Sequence, residues 1–316
     1  MRIISLFSGA GGLDLGLIQA GHEIVWANDN DTDCAETYCK NIGDHFVLDD
    51  IENIPSKDIP EGDVVVGGFP CQGFSMANLR RSGGDERNKL YIHFLRVVTD
   101  KKPLYFLAEN VRGILSLERG EVIKKILDDF RLAGYRVKYH VFNMADYGVP
   151  QTRIRVIISG TRNDIPSEYD FQFPEPTHAK NPHSATRKPW ISIREALEGV
   201  PDPDLGKDAL PNHIYSQYKV TNRNFTGHRK TDPQKPSPTV LARGNGKGGV
   251  CAIQHYNNKR RMTVRESAIV QTFPLDFEFS GKMNSMYRQV GNAVPVLFAK
   301  HLGDQLKIVE GVFKCV

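Results

Sequence analysis

The 316-residue chain has no apolar run near the roughly 18 residues that a membrane span needs. Its amino end, "MRIISLFSGAGG", turns to glycine before a signal-peptide core has formed, so a cytoplasmic, membrane-free protein is expected. Cysteine is scarce: five residues (Cys34, Cys39, Cys71, Cys251, Cys315), an odd number with no C-x-x-C pair. That argues against a disulfide framework or zinc ribbon and suits a reducing compartment. The ten histidines form no H-E-x-x-H and no His/Cys group, so no metal site is expected. Internal repeats and low-complexity tails are lacking too. One absence is local. From Ala209 to Arg265 there are eleven Lys/Arg and a single acid, Asp232, although the whole chain is only +4. A solvated basic face is the bland explanation. The tyrosines and phenylalanine interleaved there (Tyr215, Tyr218, Phe225, Tyr256) favour a polyanion, and nucleic acid above others.

What is present falls into two patterns. Up to about residue 160, the apolar runs "RIISLF", "EIVWAN", "DVVVGG", "PLYFLAEN", "YRVKYHVF" and "RVIISG" read as strands. Helical stretches alternate with them. "GGLDLGLIQAG" puts Leu13, Leu17 and Ala20 on one face and stops at Gly21; "DTDCAETYCKNIG" opens on an Asp/Thr cap; "LYIHFLRVVTD" and "EVIKKILDDFRLAG" continue the series. This alternation predicts an α/β fold with a doubly wound, mostly parallel sheet. Beyond Phe173 the chain becomes Pro-, Gly- and Asn-rich, with one short helix at Ile193–Leu197, which predicts loops and short strands. A smaller domain over 175–282 is expected, with 1–174 and 283–316 forming the main one. "VGNAVPVLFAKHLGDQL" reads as a polar turn leading into an amphipathic helix.

Four stretches carry chemistry. "SLFSGAGGLDLG" is a glycine turn between the first strand and first helix, where open α/β sheets bind nucleotides. Its Gly9, Gly11, Asp14 series departs from G-x-G-x-x-G, and a plain tight turn remains open. Asp29 at the end of the second strand and Asp50 after the third suit ribose hydroxyls and an adenine amino group, so an adenosine-bearing cofactor without a pyrophosphate fits. "VVVGGFPCQGFS" sets Cys71 on a Pro-fixed turn at a strand mouth. An unperturbed thiol is only a few per cent ionised at neutral pH, and backbone N–H groups or a nearby arginine raise that fraction. "LAENV" ends another strand on Glu109, at the same carboxyl edge, where partial burial would raise its pKa and fit it to act as an acid. "QTRIRV" puts Arg153 and Arg155 two apart on a strand, so that both point to one face; an ion-paired exposed face is the alternative.

In this order the motifs identify a resemblance. The chain resembles the DNA (cytosine-5)-methyltransferases of the prokaryotic restriction-modification type over essentially its full length. "FSGAGG", "PCQ", "ENV", "QTRIRV", "RRMTVRESAIVQTFP" and "GNAVP" follow the family's sequence of motifs. The resemblance implies a Rossmann-like fold with a β-rich target-recognition domain and S-adenosylmethionine as cofactor. Phe7, Gly9, Gly11, Asp29, Asp50, Pro70 and Asn292 would line its pocket. It also implies that Cys71 attacks carbon 6 of a flipped-out cytosine while Glu109 engages ring N3. Arg153 and Arg155 would stabilise charge and hold the base and Glu109 in place. DNA contacts are expected from Gln72, and from Ser75 and Arg81 in the loop "SMANLRRSGGDERNKL", which resembles a closing lid and equally suits a surface loop. Further contacts are expected from Arg229, Thr239, Arg243 and Lys247, with Thr239–Val240 beside the flipped base. Double-stranded DNA is the implied partner and a monomer the implied state, paired in function with a restriction endonuclease. The alternatives are the same chemistry on transfer RNA and a catalytically silent DNA-binding protein. Three residues depart from the family pattern: Ser5 for Asp, Asn30 for an apolar residue over the adenine, and Ile269 for Arg, which implies one salt bridge fewer.

Overall fold

The computed structural model describes residues 1–70, 89–182, 186–205, 210–217, 231–242, 253–257 and 259–313. Cys71, Gln72, Ser75, Arg81, Arg229, Arg243 and Lys247 lie outside them. In the first half, strands β1 (Arg2–Leu6), β2 (Glu23–Asp29), β3 (Phe46–Leu48), β4 (Val64–Gly67), β5 (Tyr105–Val111) and β6 (Tyr135–Asn143) are followed by a two-residue β7 (Gln151–Thr152) and by β8 (Ile154–Arg162). All except β7 join one seven-stranded sheet in the order β3-β2-β1-β4-β5-β8-β6. Only β8 runs against the others, because it pairs antiparallel with both β5 and β6. The chain lays β2 and β3 on one side of β1, then returns to place β4 and β5 on the other. The strand order therefore reverses between β1 and β4, and the carboxyl ends there open a crevice.

Both faces of the sheet are covered, as the continuous apolar runs of β1, β4 and β5 require. On one face α3 (Lys89–Lys101) and α4 (Glu121–Leu132) bury Phe94, Val97, Ile126 and Phe130. Phe106 of β5 meets Phe130 at a centroid distance of 4.3 Å. On the other face α1 (Gly12–Gln19) packs on the last helix, α8 (Val296–Phe313), through Leu17, Phe298, Ala299 and Leu302. The helix α2 (Thr32–Asn41) is capped by the Asp31 carboxylate, which accepts from the N–H groups of Asp33 and Cys34.

The remaining described segments hold short pieces. Strand β9 (His178–Ala179) pairs with β10 (Lys188–Pro189), and β11 (Ser237–Pro238) pairs parallel with β7. Helices α5 (Ile193–Ala196), α6 (Val264–Val270) and α7 (Met283–Asn292) gather a third apolar cluster around Val264, Phe273, Tyr287 and Val290. Thr263 and Glu266 close α6 with a reciprocal capping box, and Arg260 binds both oxygens of Glu266 at 2.7 and 2.8 Å. Ile269 packs against the apolar cluster, so its place is filled by a hydrophobic contact.

Two sequence expectations change here. "VGNAVPVLFAKHLGDQL" is not a turn leading into one helix. Val290–Asn292 finish α7, Ala293 is extended (ψ 146°), and α8 starts only after Pro295. A proline disfavours helical backbone in the residue before it and lacks an N–H to continue the ladder. Likewise "QTRIRV" is not one strand: Arg153 stands in the break between β7 and β8.

Beneath the β1–α1 turn lies a buried acid. Asp14 is 0% exposed and accepts from Ser5 Oγ (2.6 Å) and Tyr38 Oη (2.8 Å); Ser8 Oγ donates in turn to Ser5 Oγ (2.9 Å). Burial raises its pKa to about 6, against the lowering effect of those hydroxyls. An acid whose pKa is raised by folding binds more protons in the native state, so stability falls as pH rises between the two values. Asp14→Asn should therefore remove a stability loss of about 3 kcal/mol between about pH 4 and pH 6. Denaturant midpoints of the two proteins measured across that window check this, and parallel curves would refute it.

Candidate active site

A cavity of about 460 Å³ occupies the crevice at the carboxyl ends of β1, β2, β4 and β5. Its floor begins at the turn after β1. Phe7 takes a left-handed conformation (φ +56°), which is uncommon for a residue with a side chain and clusters at functional sites. The turn is locked on β2: Ser8 N–H donates to Asn28 O (2.9 Å), and Gly9 N–H donates to Asp29 Oδ2 (3.0 Å). Asp29 Oδ1 accepts from Asp31 N–H (3.1 Å), and burial pushes the Asp29 pKa upward. Both oxygens are thus aimed by backbone donors and retain lone pairs for a ligand. Asp50 sits beside it on the chain leaving β3 and accepts from Asn30 Nδ2. Asn30 is therefore a support for Asp50.

Phe7, Gly9, Asp29, Asp50, Pro70 and Asn292 all line this cavity. Gly11 does not. With φ +82°, an added Cβ would stand 2.2 Å from Ile42 Cδ1, so this glycine serves the packing of α2 behind the turn. Among the lining residues that the sequence did not point to are Cys34 and Arg288. Cys34 is buried, with its thiol pKa driven up by that burial, and Arg288 of α7 reaches Asp31 at 2.6 Å across the rim. Neither belongs to a local motif: Arg288 lies 257 residues from its partner.

The other end of the cavity lies beyond β4. Phe69 is buried against Tyr91 and Phe94, and its carbonyl accepts from Asn110 Nδ2 (2.9 Å). The asparagine of "ENV" thereby pins the chain two residues before Cys71. Pro70, the last described residue before that cysteine, faces the same cavity as Glu109. Glu109 forms an ion pair with Arg155, whose Nε lies 2.8 Å from Oε1; the two side chains are 13% and 12% exposed. The antiparallel step from β5 to β8 makes this pair, since Val111 stands opposite Arg155.

Arg153 is placed differently from Arg155, though both line the cavity. It is 1% exposed and donates from Nη1 to Val240 O and from Nη2 to Gly291 O, each at 3.1 Å. Burial and the neighbouring Arg155 lower its pKa to about 9, with Glu109 opposing. Its buried Nε has no hydrogen-bond partner among the described residues, an N–H available to meet a bound group. Thr239 is anchored through Oγ1 to Thr152 O at 2.8 Å. Among the described residues no cluster of His, Cys, Asp and Glu could hold a metal, and no helix is long and apolar enough to cross a membrane.

A cavity with aimed carboxylates under β2 and β3 and an acid–arginine pair under β5 and β8 suits an adenosyl cofactor beside a second reactant. Comparison with known proteins points the same way. The chain is 41% identical to the type II methyltransferase M.NgoFVII of Neisseria gonorrhoeae, over 93% of this chain and 83% of that one. It is 37% identical to the type II methyltransferase M.MthTI of Methanothermobacter thermautotrophicus, over 99% of both. Its fold matches the crystal structure of an E. coli prophage-encoded protein described as a DNA modification methyltransferase, with TM-score 0.76 and 25% identity over 98% of this chain and 99% of that one. The Dnmt2 methyltransferase of S. pombe shares the fold, with TM-score 0.73 and 22% identity over 99% of both chains. The model of the C-5 cytosine-specific DNA methylase family matches residues 1–308, motifs and cavity included, and the chain belongs to that family.

Proposed function

We propose that this DNA (cytosine-5)-methyltransferase modifies one short duplex sequence as the modification partner of a restriction endonuclease, through a covalent adduct at Cys71. The observation that carries this reading is the single cavity that holds Asp29 and Asp50 at one end and the Glu109–Arg155 pair at the other. Residues 1–174 and 283–316 form the catalytic unit in this reading, and 175–282 the recognition unit. The two sheet-facing apolar clusters, drawn from residues 1–173 and 294–309, support the catalytic unit, while the third packs Tyr287 and Val290 of α7 with Val264 and Phe273 across the 282/283 boundary.

A cytosine stacked in a duplex is out of reach, so the target base must leave the helix, at a cost of a few kcal/mol. The Cys71 thiolate then forms a bond from Sγ to carbon 6 while Glu109 engages N3, which moves electron density onto carbon 5. Arg155 holds the Glu109 carboxyl in the cavity, and the free Nε–H of Arg153 offers a donor for charge that develops on the ring. Asp29, Asp50 and the Phe7–Gly9 turn would hold S-adenosylmethionine, which when bound supplies the methyl group that carbon 5 takes and departs as S-adenosylhomocysteine. Transfer of the carbon 5 proton to water then re-forms the carbon 5–carbon 6 double bond, breaks the Sγ–carbon 6 bond and returns the thiolate.

Three measurements test this reading. Incubation with S-adenosylmethionine and unmethylated genomic DNA, followed by base-resolution sequencing, should show 5-methylcytosine at one recurring motif. That DNA should also resist any endonuclease encoded beside this gene. Methylated transfer RNA with unmodified DNA would overturn the assignment. Cys71→Ser should abolish methyl transfer while DNA binding persists, and a gel-shift assay separates the two; retained turnover would rule out the adduct. Arg155→Ala should lower kcat about 10²-fold, the scale of a misplaced acid catalyst. Cofactor affinity measured by calorimetry should stay near that of the unaltered protein.

A further inference from the structure

We infer that Gln151 and Gln271 are positioning residues of the target-base pocket, joining the recognition segment Thr239–Val240 and the cofactor-side turn Gly291–Ala293 into one body around Arg153. The inference rests on the proposed reading that Thr239–Val240 lies beside the flipped cytosine.

Both amides are 0% exposed. Gln151 Oε1 accepts from Val240 N–H (2.8 Å), and its Nε2 donates to Gln271 Oε1 (2.7 Å). Gln271 Nε2 then donates to Val290 O (2.6 Å) and Ala293 O (3.0 Å), so both of its N–H bonds are used. The circuit closes through Arg153, which donates to Val240 O on one side and Gly291 O on the other. Four separate stretches are thereby joined: β7 with the break after it, the recognition segment after β11, the end of α6 and the end of α7. Parallel anchors run alongside, from Ser237 N–H to Pro150 O (2.9 Å) and from Thr239 Oγ1 to Thr152 O. Steric contact agrees. A Cβ added to Gly291 would stand 2.4 Å from Ala242 N, so this glycine is needed for the backbones to meet.

An apolar seam of the same volume would hold the segments together without setting their register. Hydrogen bonds set direction, and a satisfied buried network specifies one arrangement. Here it specifies the two carbonyls that orient the Arg153 guanidinium, and with them the bearing of its unpaired Nε–H. Asn292, on the same turn, lines the cofactor cavity. The seam therefore holds recognition segment, charged donor and cofactor turn in fixed relation.

The test uses the full-length protein and duplex DNA carrying the site mapped for the unaltered enzyme. Gln151→Ala should leave S-adenosylmethionine affinity within about threefold and lower kcat about 10²-fold, as small displacements at a reacting centre do. 2-Aminopurine at the target position should show a weaker fluorescence rise on binding. Gln151→Glu keeps the volume and serves if the alanine variant does not fold. Its buried carboxyl titrates above its ordinary range, and the protonated form regains the bond to Gln271 Oε1. Its activity relative to the unaltered enzyme should therefore recover several-fold as pH falls from about 8 to about 6. An unchanged kcat in Gln151→Ala, loss of cofactor affinity in step with kcat, or a flat activity ratio with pH would overturn the inference. An unaltered enzyme that methylates no DNA would instead overturn the functional reading beneath it.

Discussion

The guanidinium of Arg153 is fully enclosed where three parts of the chain meet, and the active end of the molecule is organised around that burial. Removing an unpaired charge from water costs several kcal/mol, so the site holds together only with its partners in place. They are the carbonyls of Val240 and Gly291 and the negative Glu109 nearby. Each comes from a different element. The segment after β11, the end of α7 and the edge of the sheet must all be assembled before the arginine is satisfied. The break between β7 and β8 follows from the same demand, because a residue inside a continuous strand would not turn toward both carbonyls.

The sheet supplies the frame for this arrangement. Reversal of strand order between β1 and β4 leaves an opening at the carboxyl edge, and the turns after β1, β2, β3, β4 and β5 converge on it. One antiparallel strand changes the chemistry of that edge. Because β8 runs back beside β5, its first residues, rather than its last, arrive next to Glu109. Arg155 is thus delivered to the acid by topology, and Asn110 ties the chain ahead of Cys71 to the same strand. The Asp29 and Asp50 carboxylates and the acid–arginine pair end up at opposite ends of one cavity, an arrangement that suits the proposed transfer between two bound reactants.

Fold class, the order of the strands along the chain and the positions of Glu109, Asp29 and Asp50 at strand ends were legible in the sequence, because each depends on short-range patterns. Apolar runs of strand length alternate with helical spacing, and motif residues sit at strand ends whose location those runs define. The eleven-to-one excess of basic residues over 57 positions is visible in the sequence as well, but three of them, Arg260, Arg261 and Arg265, are buried by the fold and so are not part of a basic surface. Helices α6 and α7 were hidden by polar sequences whose stability comes from a capping box and from packing on a remote cluster.

What only the tertiary structure decided is which of two similar arginines does what. Spacing two apart suggests one face and one role for Arg153 and Arg155. Folding sends Arg155 to Glu109 and encloses Arg153 between Val240 and Gly291, partners 87 and 138 residues away. The same holds for Gly11, a motif residue that serves the packing of α2, and for Gln151 and Gln271, whose bond spans 120 residues. Local sequence determines backbone preference and the chemistry on offer. The partner of a buried polar group is set by desolvation, which acts on whatever the completed fold encloses with it.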